Sequence, residues 1–561
     1  MTKSLDIKSI LLDIGSLLFI YNILRFVFNK AVKNINESIF FGNDFLFFSA
    51  FSDFRFTLFF LIVSTFLLFF HKKLSWSSFE NYKTLRLLVI IILFPIFWEQ
   101  FFYDYNFYHD SDFLVDKILL LLFMVLVYIH PSFVFMFISL GMILFSLLGV
   151  PLAESSSSHW PEMRPIYDLT IMFISFLLLN IVRNVKTNIF LLLALSIHAS
   201  NYFIPGVAKI EISPNGWEWT FLDNLDNLFV SSYLYGWLGF IHEDIIMSIA
   251  KIIDILDPAL TIFNMILQLG AIFLLINKRV SITLFLLFEA LHIGIFIVSG
   301  IFFWEWIIIN VGFAYILHTL PKEDTAFLFD KKVNMIFMML LILSPLMYRP
   351  FIFAWWDGAV NTVYDIYIET DDNKTIKLNK IDLSPYYEVF IQNHLSYINP
   401  DPTLVNNHGF LLRDLHPYSH SFLILINKLC QGCLQHEVSS FKNDSYLLYN
   451  ALENASSVDE VSALLTKHGS FDFDKDKKEI LESFLYDYFT NYNQRGVKKY
   501  DLYKKLGAPY TLYEHSAPRL ESGTIIRKIE IFKTNTWYDK SRFVIERFNH
   551  KKLLEVKINV K

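Results

Sequence analysis

Uninterrupted apolar runs crowd the part of the chain before Arg349, and this constrains the fold more than any other feature of the sequence. Of the 561 residues, 54% are hydrophobic, only 18% are charged and 59 are Phe. A soluble core of ordinary size cannot bury so much apolar surface, so the chain needs lipid as a solvent. Charged and polar residues become dense after Arg349. We therefore predict a transmembrane helical domain over 1–349 and a soluble domain over 350–561.

A helix needs roughly 20 apolar residues to cross the hydrocarbon layer of a bilayer. On that criterion we expect a polytopic α-helical membrane protein with about eleven spans. Their centres lie near Ile20, Ser64, Ile92, Phe123, Ser139, Phe176, Ala194, Leu269, Phe288, Val311 and Ile342. The N-terminal apolar run has no small-residue cleavage site after it, which favours a retained helix over a signal peptide.

Basic residues mark alternate loops between the predicted spans, as the positive-inside rule requires. These loops carry Lys72, Lys73, Lys83 and Arg86, then Arg183 and Lys186, then Lys278 and Arg279, and finally Lys331 and Lys332. With an odd number of spans, we expect a cytoplasmic N-terminus and an extracytoplasmic C-terminal domain. The net charge of −6 and the lack of a long basic stretch argue against nucleic-acid binding.

The C-terminal domain carries both strand and helix patterns. Segment 364–378 alternates apolar and polar residues around an Asp-Asp-Asn turn, which predicts a hairpin. Segments 523–537 and 543–560 repeat the alternation, whereas 476–492 has helical periodicity. We expect an α+β domain in which strands from its two ends pair.

The two cysteines of the chain, Cys430 and Cys433, form a Cys-Gln-Gly-Cys motif in this domain. In an oxidising compartment the pattern favours a short local disulfide, and a redox-active dithiol is the alternative. With His436 the motif supplies at most three ligands, fewer than a structural zinc ion takes, so we expect no metal site.

Ionisable groups inside apolar spans are costly, and Lys209 is the sharpest case. Pro205 and Gly206 precede it and predict an interrupted helix that places the amine near the outer face, in a cavity. An apolar cavity disfavours the ammonium form, so the neutral amine becomes available as a base. The alternative is that Lys209 extends to the interface beside Trp217 and Trp219, within an ordinary aromatic belt.

Glu289 and His292 lie three positions apart, on one face of a predicted helix. A carboxylate facing an imidazole fixes its tautomer, which suits a proton relay or the binding of a polar head group. A buried structural pair that locks helices together is the alternative. Gln268 on the preceding helix is expected to face the same interior. His198, about one helical turn before Pro205, is expected to line the cavity of Lys209, with a purely structural role as the alternative.

With these two clusters in view, the chain resembles the HTTM (horizontally transferred transmembrane) family, to which vitamin K-dependent gamma-carboxylase belongs. The resemblance covers roughly 165–320. It rests on Tyr202-Phe203-x-x-Gly206-x-x-Lys209 followed by Trp217, on Leu267-Gln268-Leu269-Gly270 and Lys278-Arg279, and on His292 with Gly300-Ile301-Phe302.

The resemblance implies a membrane enzyme that couples oxidation of a reduced quinone, of the vitamin K or menaquinone type, to carboxylation of glutamate. Oxygen and carbon dioxide would be co-substrates. Lys209 would be the base that deprotonates the quinol, and His292 a second catalytic group in the pocket. The quinone site would be lined by His198, Tyr202, Trp217, Gln268, Glu289 and Phe302.

Two functions follow as alternatives. The first is this gamma-carboxylase-like enzyme, which meets a protein or peptide substrate on the extracytoplasmic side. The second is a non-enzymatic membrane scaffold or transporter whose outer domain binds a partner. A transporter predicts a continuous polar path through several spans, whereas the sequence concentrates polar groups toward one face, which favours the first function.

Overall fold

The computed structural model describes residues 6–33, 35–102, 111, 113–146, 163–213, 216–234, 236–348, 350, 356–378, 447, 449–467, 478–495, 520 and 523–559. Thirteen helices of seven or more residues fill its described part before residue 349. They are α1 Ile7–Lys33, α2 Phe54–Phe69, α3 Tyr82–Phe102, α4 Leu114–Ile129, α5 Val134–Ser146, α6 Arg164–Val182, α7 Thr187–Ile212, α8 Leu225–Leu234, α9 Glu243–Gly270, α10 Lys278–Ser299, α11 Trp304–Thr319, α12 Lys322–Leu328 and α13 Lys331–Ile342.

Within the described residues, five helices are long and apolar enough to cross a membrane. They are Ile7–Val32, Tyr82–Phe102, Arg164–Val182, Thr187–Ile210 and Lys278–Ser299, and the bent pair Leu46–Ser52 with Phe54–Phe69 makes a possible sixth. Each of the eleven predicted centres falls in a helix. Most of the other helices are shorter than a full span, and α9 is interrupted by acidic residues. The number of described helices that can span a membrane alone is therefore below the eleven predicted.

Three of the predicted basic loops meet at one end of the helical region. Lys73 donates to the carbonyl of Ile181 at 2.7 Å. Asp324 lies in α12, just before Lys331, and accepts hydrogen bonds from the side chains of Asn81 and Asn188. The bond from Asn188 is 2.7 Å long. The helix α7 begins at this end, and Lys209 lies 22 residues after Thr187, roughly 33 Å along the axis. Lys209 therefore lies toward the opposite end.

The central helix α7 is buried over almost its whole length. It runs unbroken from Thr187 to Ile212 with Pro205 inside it, so the predicted interruption is wrong. Proline is tolerated in apolar helices where neighbours satisfy the freed backbone groups. Gly206 permits the close approach of α9 to α7 and does not break the helix. A Cβ at this position would lie only 3.0 Å from the Cβ of Gln268.

The C-terminal region contains a four-stranded antiparallel sheet in the order β2-β1-β3-β4. Its strands are β1 Val360–Thr370, β2 Thr375–Lys377, β3 Ile526–Asp539 and β4 Val544–Lys557. The predicted hairpin is confirmed as β1 and β2, with Asn373 in the left-handed region at φ 62°. The predicted pairing of strands from the two ends is confirmed as β1 with β3. Two further helices, α14 Val458–Lys467 and α15 Lys478–Arg495, complete the described α+β part.

The sheet docks on the helical region opposite the basic loops. Ser231 in α8 donates to Asn361 in β1 at 2.6 Å. Lys540, in the turn between β3 and β4, pairs with Asp226 at 3.2 Å and with Asp254 at 2.7 Å. The sheet region and the outer ends of α7–α9 therefore form one packed junction.

Candidate functional site

A chamber of about 120 Å³ lies beneath this junction, between α7, α9, α10 and the start of α11. Its walls are largely apolar. Its lining residues are Asn201, Tyr202, Pro205, Lys209, Trp219, Leu225, Leu228, Asn264, Gln268, Leu291, His292, Ile295, Ser299, Ile301, Phe303, Trp306 and Asp357. The chamber brings together the lysine cluster and the histidine cluster that the sequence keeps 83 residues apart.

Lys209 is buried in the chamber wall, with 6% of its surface exposed. Its Nζ donates to Oε1 of Gln268 at 3.0 Å and lies 4.9 Å from the ring centre of Trp219. The lysine therefore does not extend to the interface, and the aromatic-belt interpretation is wrong for this side chain.

A short turn after α7 holds Trp219 over the amine. The hydroxyl of Ser213 donates to the carbonyl of Lys209 at 2.9 Å and accepts from the backbone N–H of Trp219 at 2.8 Å. Both residues are thus fixed to the same helix end. Because the indole face is electron-rich and the Gln268 oxygen is an acceptor, the amine has one preferred position in the chamber.

Two buried carboxyl groups adjoin the outer wall of the chamber. Asp357, which lines it, donates its backbone N–H to Oδ1 of Asp223 at 2.8 Å. Burial and the neighbouring Asp357 carboxylate raise the pKa of Asp223 well above its usual range. Both carboxylates are near enough to interact with the charge on Lys209. Asp357 comes from the segment that leads into the sheet, so the site includes residues from both regions.

The inner end of the chamber is a hydrogen-bonded network centred on Asn310 of α11. Its Nδ2 donates to Oε1 of Glu289 at 2.6 Å and to the hydroxyl of Tyr202 at 2.7 Å. The hydroxyl of Tyr202 lies 3.4 Å from Nε2 of His292. The Tyr202 ring stacks on Phe288, with 3.9 Å between ring centres. Tyr202 and His292 therefore line the chamber with their orientations set by neighbours.

The predicted pair of Glu289 and His292 is close but not hydrogen-bonded. Oε1 of Glu289 lies 3.9 Å from Nδ1 of His292, and Asn310 is the nearer partner of the carboxylate. His198 also bonds Asn310, at 2.6 Å through Nε2, and does not line the chamber. Both side chains act on the chamber only through Asn310, Tyr202 and His292.

Two other predicted binding residues lie elsewhere. Trp217 is 54% exposed and does not line the chamber, because the turn before the short helix Trp219–Leu222 directs Trp219 inward in its place. Phe302 packs on Phe296, with ring centres 5.0 Å apart, and Phe303 lines the chamber. Gly300, at φ 74°, ends α10 in the left-handed conformation just before them.

Sequence analysis missed Asp357 and Trp306, which line the chamber, and Asn310, which donates to the lining residue Tyr202. Asp357 comes from beyond the apolar region, and Trp306 is one of many aromatic residues. Asn310 had a usable signal, since a single amide in an otherwise apolar helix needs buried partners. Cys430 and Cys433 lie outside the described residues, and no group of three or more metal-ligating side chains occurs among the described ones.

Comparison with known proteins gives no relative: no family model, curated protein or solved structure matches the chain.

Proposed function

We propose that the protein is a gamma-carboxylase-like membrane enzyme that binds a reduced quinone in the chamber and uses Lys209 as the base. The amine takes the proton of a quinol hydroxyl, so that the O–H bond breaks and an N–H bond forms. A reduced quinone held there would supply, with oxygen, the strong base that carboxylation or a related modification of a substrate on the extracytoplasmic side needs. His292 is the second catalytic group.

The observation that carries this proposal is the shared chamber. Lys209 and His292 line one cavity with apolar walls, and Lys209 is shielded from bulk water. A buried amine is readily available in its neutral form, which an exposed lysine is not at neutral pH. A general base must reach the proton that it removes, and a ligand in this chamber would contact Lys209 directly.

The chamber has a polar group near each end along α7. Its volume of about 120 Å³ is below the roughly 150 Å³ of a cavity that holds a benzene-sized ring, so a ring enters only if the walls move apart slightly. Lys209 and Tyr202 lie seven positions apart on α7, about 10 Å along its axis and on nearly the same face. A para-dihydroxy ring with a hydrogen bond at each end spans roughly 11 Å. The backbone spacing of the two residues is thus comparable to the length of a hydroxylated ring with its hydrogen bonds.

The proposal includes the membrane arrangement. The basic loops that gather at one end of the helices face the cytoplasm, with the N-terminus, and the sheet lies on the extracytoplasmic side. Shorter helices such as α4 and α11 cross where the bilayer thins locally, giving about eleven passes. Membership of the HTTM family is part of the proposal and rests on the residues around Lys209 and His292.

A second candidate, a non-enzymatic scaffold or transporter, is favoured by one observation. Lys209 bonds Gln268 and lies near the carboxylates of Asp223 and Asp357, which is how a buried structural cation is compensated. In that function the chamber would hold lipid, and the outer domain would bind a partner.

Turnover of quinol separates the two candidates. We would purify the protein, supply reduced menaquinone or vitamin K, and measure oxygen-dependent loss of the quinol. Glutamates of co-expressed proteins would be examined by mass spectrometry for added carbon dioxide. The test variant is Lys209→Arg, which keeps the positive charge but does not release its proton. Lys251→Arg, on the exposed face of α9, is the matched control.

We expect the wild type and Lys251→Arg to consume quinol at equal rates. Lys209→Arg should be slower by about a hundredfold to ten-thousandfold, the usual contribution of a general base, with unchanged expression. Equal turnover by Lys209→Arg would remove Lys209 as the base. Absence of turnover in the wild type, with intact folding, would favour the scaffold.

A further inference from the structure

Three of the residues that line the chamber are partly exposed, and they mark where it opens. They are Leu225 at the start of α8, Asn264 of α9 and Ile295 of α10, whereas the other lining residues are buried. Helix α7, helix α11 and the segment that leads into the sheet contribute buried lining residues alone. The chamber therefore opens to the side, where α8, α9 and α10 adjoin.

The packing of these three helices explains the opening. The hydroxyl of Ser281 in α10 donates to the carbonyl of Leu274, just after α9, and so ties the two helices together at that end. Farther along, Leu228 of α8 shares one buried apolar cluster with Ile253 of α9 and Val298 of α10. Helices in direct contact lie about 8–10 Å apart, and an inserted third helix holds them farther apart. A gap therefore forms between the tie and α8, and we name it the α9–α10 gap.

Apolar side chains border the α9–α10 gap on both helices. On α9, the exposed Leu260 lies one turn before Asn264. On α10, Leu287, Leu291 and Ile295 form a row at four-residue spacing, and the first and last of them are partly exposed. Helix α10 is also one of the five described helices that are long and apolar enough to cross a membrane. In the proposed membrane arrangement the gap thus adjoins the hydrocarbon layer, and an apolar chain can enter it without leaving lipid.

The chamber is too small to hold the whole of a membrane quinol. Its volume of about 120 Å³ is below the roughly 150 Å³ of a cavity that holds a benzene-sized ring, so a chain has no room beside the ring. We propose that a quinol with a long apolar tail enters the chamber from the bilayer through the α9–α10 gap, and that the tail stays in the gap. The inference rests on the proposed function and deepens it, because it names the route and the class of quinol. A small outward movement of α9 or α10 at the gap would also make room for the ring.

A bulky side chain beside the gap tests the tail without altering the chamber. Leu260→Trp enlarges a residue that borders the gap and does not line the chamber. Lipid tails are as apolar as leucine, so the quinol tail gains little free energy by leaving lipid, and steric fit decides whether the gap holds it. We expect Leu260→Trp to bind reduced menaquinone about tenfold less tightly in nanodiscs, a usual cost of overpacking. Reduced menadione, which has the ring but no tail, should bind as it does to the wild type.

Ile262 supplies the matched control for this substitution. It lies two positions after Leu260, on the opposite face of α9, and is similarly exposed. Ile262→Trp should bind both quinols as the wild type does. Unchanged affinity of Leu260→Trp for reduced menaquinone would overturn the inference. An equal loss for reduced menaquinone and reduced menadione would also overturn it, because the substitution would then act on the ring and not on a tail.

Photolabelling locates the tail in the unaltered, full-length protein. A reduced menaquinone analogue with a diazirine near the ring end of its tail is irradiated in nanodiscs, and labelled peptides are identified by mass spectrometry. We expect label at 260–264 of α9 and 287–295 of α10, and its loss when unlabelled reduced menaquinone is in excess. Competed label elsewhere, with normal quinol turnover, would remove this inference and leave the proposed function standing. If neither quinol binds and none is consumed, the proposed function fails and the tail site fails with it.

Discussion

Replacement of Gly206 by alanine tests whether the contact between α7 and α9 positions the amine. A Cβ at this position would lie 3.0 Å from Cβ of Gln268 and 3.1 Å from Cδ2 of Leu269. Carbon atoms prefer about 3.5–4.0 Å, so α9 must move away by roughly 0.5 Å. Such overpacking costs about 1–3 kcal/mol, and the better helix propensity of alanine returns about 1 kcal/mol. We expect a net loss of about 1 kcal/mol.

The same movement has a consequence in the chamber. The bond from Lys209 to Gln268 would lengthen from 3.0 Å to about 3.5 Å, where hydrogen bonds become weak. Gly206→Ala should therefore melt at a lower temperature in detergent and bind reduced menaquinone less tightly. Gly294→Ala in α10 is the control, since no atom lies within 4 Å of its Cβ. If Gly206→Ala melts at or above the temperature of Gly294→Ala, the close-approach argument is refuted.

Three further predictions concern the junction, the helical core and the turn after α7. Burial and the charge of Asp226 raise the pKa of Glu453 from 4.5 to about 7. The folded state therefore binds this proton more tightly than the unfolded state does. About 3 kcal/mol of the stability present below pH 4.5 is lost as the pH rises to about 7. Glu453→Gln should reduce this dependence of the melting temperature on pH. Arg25 and Asp168 form a buried ion pair at 3.1 Å, so Arg25→Met should cost about 3–5 kcal/mol in thermal unfolding, and adding Asp168→Asn should recover part of it. Trp219→Leu should weaken ligand binding about tenfold, whereas Trp217→Leu should leave calorimetric affinity unchanged.

Apolar composition and alternation predicted the helical region, the C-terminal sheet and its strand pairing. These features depend on local periodicity and on burial, which a single sequence records directly. The number of full spans was not predictable in the same way. An apolar run such as that of α5, Val134–Ser146, has the composition of a span but too few helical residues to cross alone.

The site was predicted to the level of helix faces and not to single residues. Gln268 and Lys209, which were predicted only as members of one binding site, form a hydrogen bond because polar groups in apolar helices need buried partners. Trp217 and Trp219 could not be distinguished, since one turn of backbone decides which indole faces inward. Asp357 reaches the chamber from a segment 148 residues after Lys209, and only the tertiary fold brings them together.

The most direct test of the account is a cryo-electron microscopy structure of the purified protein with a reduced menaquinone analogue bound. The account predicts a ring in the chamber with one oxygen within hydrogen-bonding distance of Lys209 Nζ and its other end toward His292. Quinol density at another site, or a lipid chain in the chamber at saturating quinol, would contradict it.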